Sequence, residues 1–153
     1  MFVIGDFGVR LCGTKAVITE KPSLIGFGDL TSQGFPFYSG NMTYRFRARS
    51  ENGKLLLRAS FYRGAMISVK VDGKEAGDIV YPPYILAVDC PDGEHEVEMT
   101  LYIHRYNSFG PLHLVNEKES WHGPGAWRSE GSNWTYNYVL RRTGILSAPC
   151  VIR

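Results

Sequence analysis

An apolar periodicity of two recurs along most of the chain and constrains its fold more than any other feature. In residues 41–49, the apolar side chains Met42, Tyr44, Phe46 and Ala48 alternate with polar ones. Similar alternation runs through residues 54–62, 66–72, 94–106 and 134–140. Successive side chains on an extended strand point to opposite faces, so this pattern predicts half-buried β-strands. No apolar stripe of period 3.6 competes with it, and the sequence therefore predicts an all-β protein.

Turn signals separate the alternating segments. Asn52-Gly53 and Asp72-Gly73 favour tight hairpins, because a type I′ turn needs positive φ at both central residues. About eight short strands without an internal repeat predict an antiparallel β-sandwich, folded as a single domain over residues 1–153. Residues 20–40 and 107–133 lie outside the strand pattern. Loops of this length in a compact domain are often functional.

The charge balance and the N-terminal residues bear on two questions, which partners the protein binds and where in the cell it lies. The chain carries 17 basic and 15 acidic residues with no long basic run, so we expect neither nucleic acid nor a membrane surface as partner. No apolar stretch approaches the ~20 residues of a membrane-spanning helix. The first residues lack the features of a signal peptide, and Cys12, Cys90 and Cys150 read as reduced thiols. These observations favour a cytoplasmic location.

Motifs for catalysis and for cofactors are missing from the sequence. It has no Gly-x-Ser-x-Gly elbow and no phosphate-binding glycine loop, so no catalytic residue and no cofactor are expected. The four histidines are spaced nine residues apart, which suits neither a strand nor a helix metal site, and no metal is expected. One enzymatic alternative is a small glycosidase or lyase that uses His113 or His122 together with loop carboxylates. The candidate carboxylates are Glu117, Glu119 and Glu130, although a charged, solvated loop face is the preferred explanation for them.

The second long loop concentrates aromatic and hydrogen-bonding side chains. Sugar rings stack their C–H faces on aromatic rings, while their hydroxyls bond to polar side chains. We therefore predict a carbohydrate-binding site formed by His113, Glu119, Trp121, His122, Trp127 and Arg128. The alternative is that the tryptophans form a small local core. Trp134 opens an alternating segment and is predicted to be core.

The segment GFPFYSG, residues 34–40, places aromatic side chains just ahead of a long strand. Its terminal glycines permit bends, and Pro36 is expected to hold the centre extended. Phe35 and Phe37 should then point to opposite sides. We predict that one phenylalanine is buried and that the exposed part, Phe37 with Tyr38, forms an interface for a neighbouring domain.

Two stretches of the chain resemble a known family. MISVKVDGKEAGDIVYPPYILAVDCPDGEHEVEMTLY and PFYSGNMTYRFRA are similar to the galactose-binding-like jelly-roll domain of bacterial glycoside hydrolases of the β-galactosidase and β-glucuronidase type. The matching positions are Val69, Val71, Asp72, Gly73, Gly77, Asp89, Gly93, His95, Val97 and Leu101. The Val-Asp-Gly turn departs from the usual Val-Asn-Gly of that family, a change that positive φ tolerates.

The resemblance implies a jelly-roll sandwich and a non-catalytic, carbohydrate-binding or accessory module of a glycoside hydrolase. It implies that the chain is part of a larger protein, with catalysis in another domain. The implied partners are a carbohydrate and the catalytic domain of the parent hydrolase. A purely structural docking domain is the alternative, because fold alone does not decide between binding and scaffolding.

Overall fold

The computed structural model describes residues 3–116 and 122–152, and β-strands dominate them. Of the described residues, 42% lie in strands and 8% in helices, and the strand pairings among them are antiparallel. The strands are β1 (Gly8–Cys12), β2 (Lys15–Thr19), β3 (Asn41–Ser50), β4 (Lys54–Arg58), β5 (Tyr62–Arg63), β6 (Met66–Val71), β7 (Lys74–Ile79), β8 (Ile85–Asp89), β9 (Gly93–Tyr102), β10 (Gly144–Ile145) and β11 (Cys150–Ile152). The helical elements are α1 (Tyr106–Phe109) and the 3₁₀ turns Leu30–Ser32 and Pro124–Trp127. The all-β, antiparallel prediction is confirmed.

Two compact units divide the chain, and the larger one is the β-sandwich. It comprises residues 27–29 and 40–104 and the described residues from 143 onward. It holds a four-stranded sheet in the order β3-β9-β6-β7, a three-stranded sheet in the order β11-β4-β8, and the pair β10-β5. Both larger sheets contribute core side chains that are at most 1% exposed: Leu55 and Leu57 from β4, Ile67 and Val69 from β6, and Val97, Met99 and Leu101 from β9. These are the apolar positions of the alternating segments, so the period-two pattern identified the core.

The two predicted tight turns have the backbone that their sequences demand. Asn52 and Gly53 adopt φ of 56° and 73°, and Asp72 and Gly73 adopt 50° and 76°. Positive φ at both central residues is the geometry of a type I′ turn. The second turn joins β6 to β7 in the same sheet, whereas the first carries the chain from β3 to β4 in the other sheet.

Charges on the solvent face of the four-stranded sheet are matched across strands. Arg45 on β3 pairs with Glu98 on β9 at 2.9 Å, and Arg47 with Glu94 at 3.4 Å. Such exposed pairs contribute little to stability. Arg45 and Glu98 lie on directly facing positions, and opposite charges in such positions favour one register over its neighbours.

The smaller unit comprises the described parts of residues 1–26, 30–39 and 105–142. It contains the β1-β2 hairpin and most of both long loops. Asn107 is 2% exposed, and its side chain donates to the Arg141 carbonyl at 2.7 Å and accepts from the Arg141 N–H at 2.9 Å. This reciprocal pair brings the two ends of the 105–142 segment together. No helix among the described residues has the length and hydropathy to cross a membrane.

The strand predicted at residues 134–140 is wrong, since the described structure has only an isolated bridge between Leu114 and Trp134 there. A strand needs its carbonyls for a ladder, but here the carbonyls of Thr135 and Asn137 accept from the His113 ring instead. The Thr135 hydroxyl also accepts from the Asn137 N–H at 3.2 Å. Local side-chain bonds of this kind compete with sheet formation.

The extended centre predicted for GFPFYSG is also wrong. The Tyr38 N–H donates to the Phe35 carbonyl at 3.4 Å, which closes a turn with Pro36 in its second position, where proline is favoured. The predicted difference between the phenylalanines is present, because Phe35 is 9% exposed and Phe37 is half-buried. The strand predicted from the alternation in residues 54–62 is shorter in the structure, since β4 ends at Arg58 and Phe61 is 44% exposed.

Candidate functional site

A cavity of about 200 Å³ in the smaller unit is the candidate site. It is lined by residues 110–112, His113, residues 126–128 and Trp134. Three of the predicted site residues, His113, Trp127 and Arg128, therefore meet in one place. Two tryptophans, a histidine and an arginine line the same small volume.

The 3₁₀ turn Pro124–Trp127 presents two of these side chains. Proline at its start already has the φ of a helical turn and lacks the N–H that would stay unbonded. The turn is closed by bonds from Ala126 N–H to the Gly123 carbonyl at 3.0 Å and from Arg128 N–H to the Gly125 carbonyl at 3.3 Å. Trp127 remains 55% exposed, so its ring is available to a ligand.

His113 is held firmly in the cavity wall. Its Nδ1 lies 3.0 Å from the Thr135 carbonyl and 3.1 Å from the Asn137 carbonyl. A carbonyl oxygen only accepts, so Nδ1 carries a proton, and in the neutral ring Nε2 is an acceptor. The ring also packs against Trp134 and Tyr138, with centroids 5.8 and 4.8 Å away.

Trp134 is half-buried and lines the cavity, so it contributes to this site in addition to packing. Tyr136 meets its ring edge-on at a centroid distance of 4.3 Å. The expectation that Trp134 is purely a core residue therefore missed its place in the cavity wall.

The other predicted site residues lie elsewhere or outside the described structure. His122 is not in the cavity wall; its Nε2 accepts from Arg141 Nη2 at 3.1 Å, and its ring lies 5.6 Å from that of Tyr106. The Arg141 guanidinium is 3.8 Å from the centre of the same tyrosine ring. Glu119 and Trp121 fall outside the described residues.

The predicted interface residues differ in exposure. Tyr38 is 38% exposed and meets the edge of Phe35 at 5.7 Å. Phe37 packs against Tyr138 at 5.1 Å, and its carbonyl accepts from the Ser108 hydroxyl. Tyr38 thus presents the more accessible surface of the two.

A second polar cluster in the larger unit has the composition of a catalytic triad. His95 Nδ1 lies 2.6 Å from Asp72 Oδ2, and His95 Nε2 lies 3.1 Å from the Ser50 hydroxyl. The Pro91 carbonyl lies 2.8 Å from His95 Nε2 and 2.6 Å from the same hydroxyl. We call Ser50, Asp72, Pro91 and His95 the histidine clamp.

The bonds of the histidine clamp make it structural. Because the Pro91 carbonyl only accepts, His95 Nε2 carries a proton, whereas a general base needs that nitrogen free. Ser50 is 2% exposed, so no substrate reaches it. The clamp joins the end of β3 to the β6-β7 and β8-β9 turns.

Hydrogen bonding shifts the pKa values of both ionisable members of the clamp. The bond to Asp72, followed by the bond to the Pro91 carbonyl, raises the pKa of His95 above its ordinary value. The bond from His95, followed by the Glu96 N–H, lowers the pKa of Asp72. Each shift favours the charged form of its group.

The nine-residue spacing of the histidines, considered only for a metal site, did not predict the clamp. The available signal was the resemblance, which placed Asp72 and His95 in two turns of the same domain. Among residues 3–116 and 122–152, no group of three or more His, Cys, Asp or Glu side chains is arranged to hold a metal ion.

Comparisons with known proteins find matches by structure but none by sequence. No protein-family model and no curated protein matches the sequence. The structure is similar to part of a rhamnosidase from Novosphingobium sp. PP1Y, with a TM-score of 0.53 and 18% identity over 94% of this chain. Two structures of a GH2 β-galacturonidase from Eisenbergiella tayi, bound to galacturonate and to glycerol, match with TM-scores of 0.42 over 76% of this chain, at 25% and 23% identity.

The chain spans a small part of each of these proteins. It covers 14% of the rhamnosidase chain and 21% and 20% of the two galacturonidase chains. The likeness to the rhamnosidase concerns the fold, which occurs there as one segment of a much longer chain.

Proposed function

We propose that this protein is a non-catalytic carbohydrate-binding module that accompanies the catalytic domain of a glycoside hydrolase. The observation that carries the proposal is the cavity in which His113, Trp127, Arg128 and Trp134 meet. Its aromatic faces suit the C–H faces of a sugar, and its polar groups suit the hydroxyls.

The size of the cavity supports a small ligand. At about 200 Å³, it is below the ~300–1,000 Å³ typical of pockets for drug-sized ligands. One sugar ring, rather than an enclosed oligosaccharide, is the ligand that we propose. Neighbouring sugar units of a longer chain would then extend into solvent past the exposed Trp127.

The parent enzyme is proposed from two independent indications. The residues of 66–102 resemble an accessory domain of glycoside hydrolases, and the fold is similar to a segment of a rhamnosidase. The proposed partner is accordingly the catalytic domain of a hydrolase, with the exposed Tyr38 as part of the docking surface.

Sugar binding is tested by titrating the purified protein with methyl glycosides of common neutral hexoses and pentoses, with NMR shifts and tryptophan fluorescence as readouts. We expect dissociation constants on the order of 1 mM, since a single exposed ring gains only a few kcal/mol. Trp127→Ala should abolish binding while the far-UV circular dichroism stays unchanged, because the side chain is 55% exposed.

Tyr81→Ala is the matched control, since Tyr81 is an 80% exposed aromatic residue of the larger unit. It should leave sugar binding intact. Unchanged binding in Trp127→Ala would refute the site. Hydrolysis of aryl glycosides by the wild-type protein, lost in Glu119→Gln, would establish the enzymatic alternative instead.

A further inference from the structure

The charge of the cavity wall carries information about the ligand beyond its being a sugar. Among the described lining residues, Arg128 is cationic and none is acidic. A cavity for a neutral sugar commonly balances its donors with carboxylate acceptors, since sugar hydroxyls both donate and accept hydrogen bonds. The described wall offers a guanidinium instead.

Three other arginines of this protein have partners within the chain. Arg45 and Arg47 pair with glutamates of β9, and Arg141 stacks on Tyr106. Among residues 3–116 and 122–152, Arg128 has no carboxylate partner. Its guanidinium is thus available to an anionic ligand.

The fork of an arginine side chain matches a carboxylate in geometry as well as in charge. Two parallel N–H groups bind the two carboxylate oxygens, and a neutral hydroxymethyl group offers no equivalent pair of acceptors. Trp127 and Arg128 both line the cavity, so a sugar ring stacked on the indole would lie in the same small volume as the arginine. His113 Nε2, as an acceptor, suits a sugar hydroxyl.

Resting on the proposed function, we propose that the cavity selects sugars that carry a carboxylate, the hexuronates, over their neutral counterparts. Arg128 is the specificity-determining residue, and it pairs with the carboxylate on C6. The aromatic pair Trp127 and Trp134 binds the ring itself, whichever substituent it carries.

The test compares methyl glucuronide with methyl glucoside, and methyl galacturonide with methyl galactoside, by NMR titration at pH 7. Each pair differs at C6 alone. We expect the uronide of each pair to bind about fivefold more tightly at low salt, the order of magnitude of a partly exposed ion pair. The preference should shrink on addition of about 0.5 M NaCl, because salt screens exposed charges.

Arg128→Gln should remove the preference for the uronide in each pair, since the charged contact is lost. Arg10→Gln is the matched control, because Arg10 is an exposed arginine in β1 of the same unit. It should keep both the preference and its salt dependence.

The outcomes separate this inference from the proposed function. Equal binding of uronides and neutral glycosides by the wild-type protein overturns the selectivity and leaves the sugar-binding function standing. A preference that persists in Arg128→Gln overturns the role of Arg128. Binding of neither kind of glycoside overturns the inference together with the proposed function.

Discussion

Replacing His95 with glutamine opens the histidine clamp and should make stability less dependent on pH. The variant loses the charged bonds from the imidazole to Asp72 at 2.6 Å and to the Pro91 carbonyl at 2.8 Å. Bonds that involve a charged group contribute roughly 1.5–3 kcal/mol each. The Asp72 side chain is 54% exposed and can turn to water, and the glutamine amide can still donate to the carbonyl, so we expect a total loss of about 2 kcal/mol.

The direction of the pH effect follows from the two pKa shifts. The pKa of His95 is raised above 6.5, so its contribution is complete below pH 6.5 and is lost as the pH rises through the raised value. The pKa of Asp72 is lowered below 3.8, so its contribution is complete above pH 3.8 and is lost as the pH falls through the lowered value. The stability difference between wild type and variant is therefore largest between pH 3.8 and pH 6.5.

The assay is urea unfolding of both proteins at a series of pH values, followed by circular dichroism. Thermal melts should show a difference of roughly 4–8 °C at pH 5.5, since 1 kcal/mol shifts the Tm of a domain of this size by about 2–4 °C. In an Asp72→Asn background, His95→Gln should lower the stability by less than it does in the wild type. The double variant should therefore lose less stability than the sum of the two single variants. A stability difference that stays constant from about pH 5 to 9 would show that His95 does not change its charge in this range and would refute the reasoning.

Two further predictions concern packing in each unit. Phe35→Ala should destabilise by roughly 3–5 kcal/mol, because Phe35 is 9% exposed, whereas Phe37→Ala at a half-buried site should cost less; equal shifts in thermal melting would contradict this. Gly64→Ala should lower the urea midpoint, because the added Cβ would lie 2.8 Å from the Tyr102 carbonyl oxygen. Gly26→Ala, whose nearest described neighbour to the added Cβ is 3.9 Å away, should leave the midpoint near that of the wild type.

The residues of the proposed binding site differ in whether the sequence alone could bring them together. Trp127 and Arg128 are adjacent in the chain, so their proximity needed no fold. His113 and Trp134 join them only through long-range contacts, of which the bonds from the His113 ring to the 135 and 137 carbonyls are the most specific. His122 is nearer to Trp127 in sequence than His113 is, yet it belongs to a different cluster.

The sequence by itself determined the class of fold, the core positions of the main strands and the tight turns. Those features depend on neighbours in the chain, through the two-residue alternation of a strand and the positive φ that Asn-Gly and Asp-Gly accept. Only the tertiary structure decided that Arg45 faces Glu98, 53 residues away, and that His95 reaches Asp72 across 23 residues. Composition names the groups that can pair, but the sheet order and register choose among them, because many pairings satisfy the same local pattern.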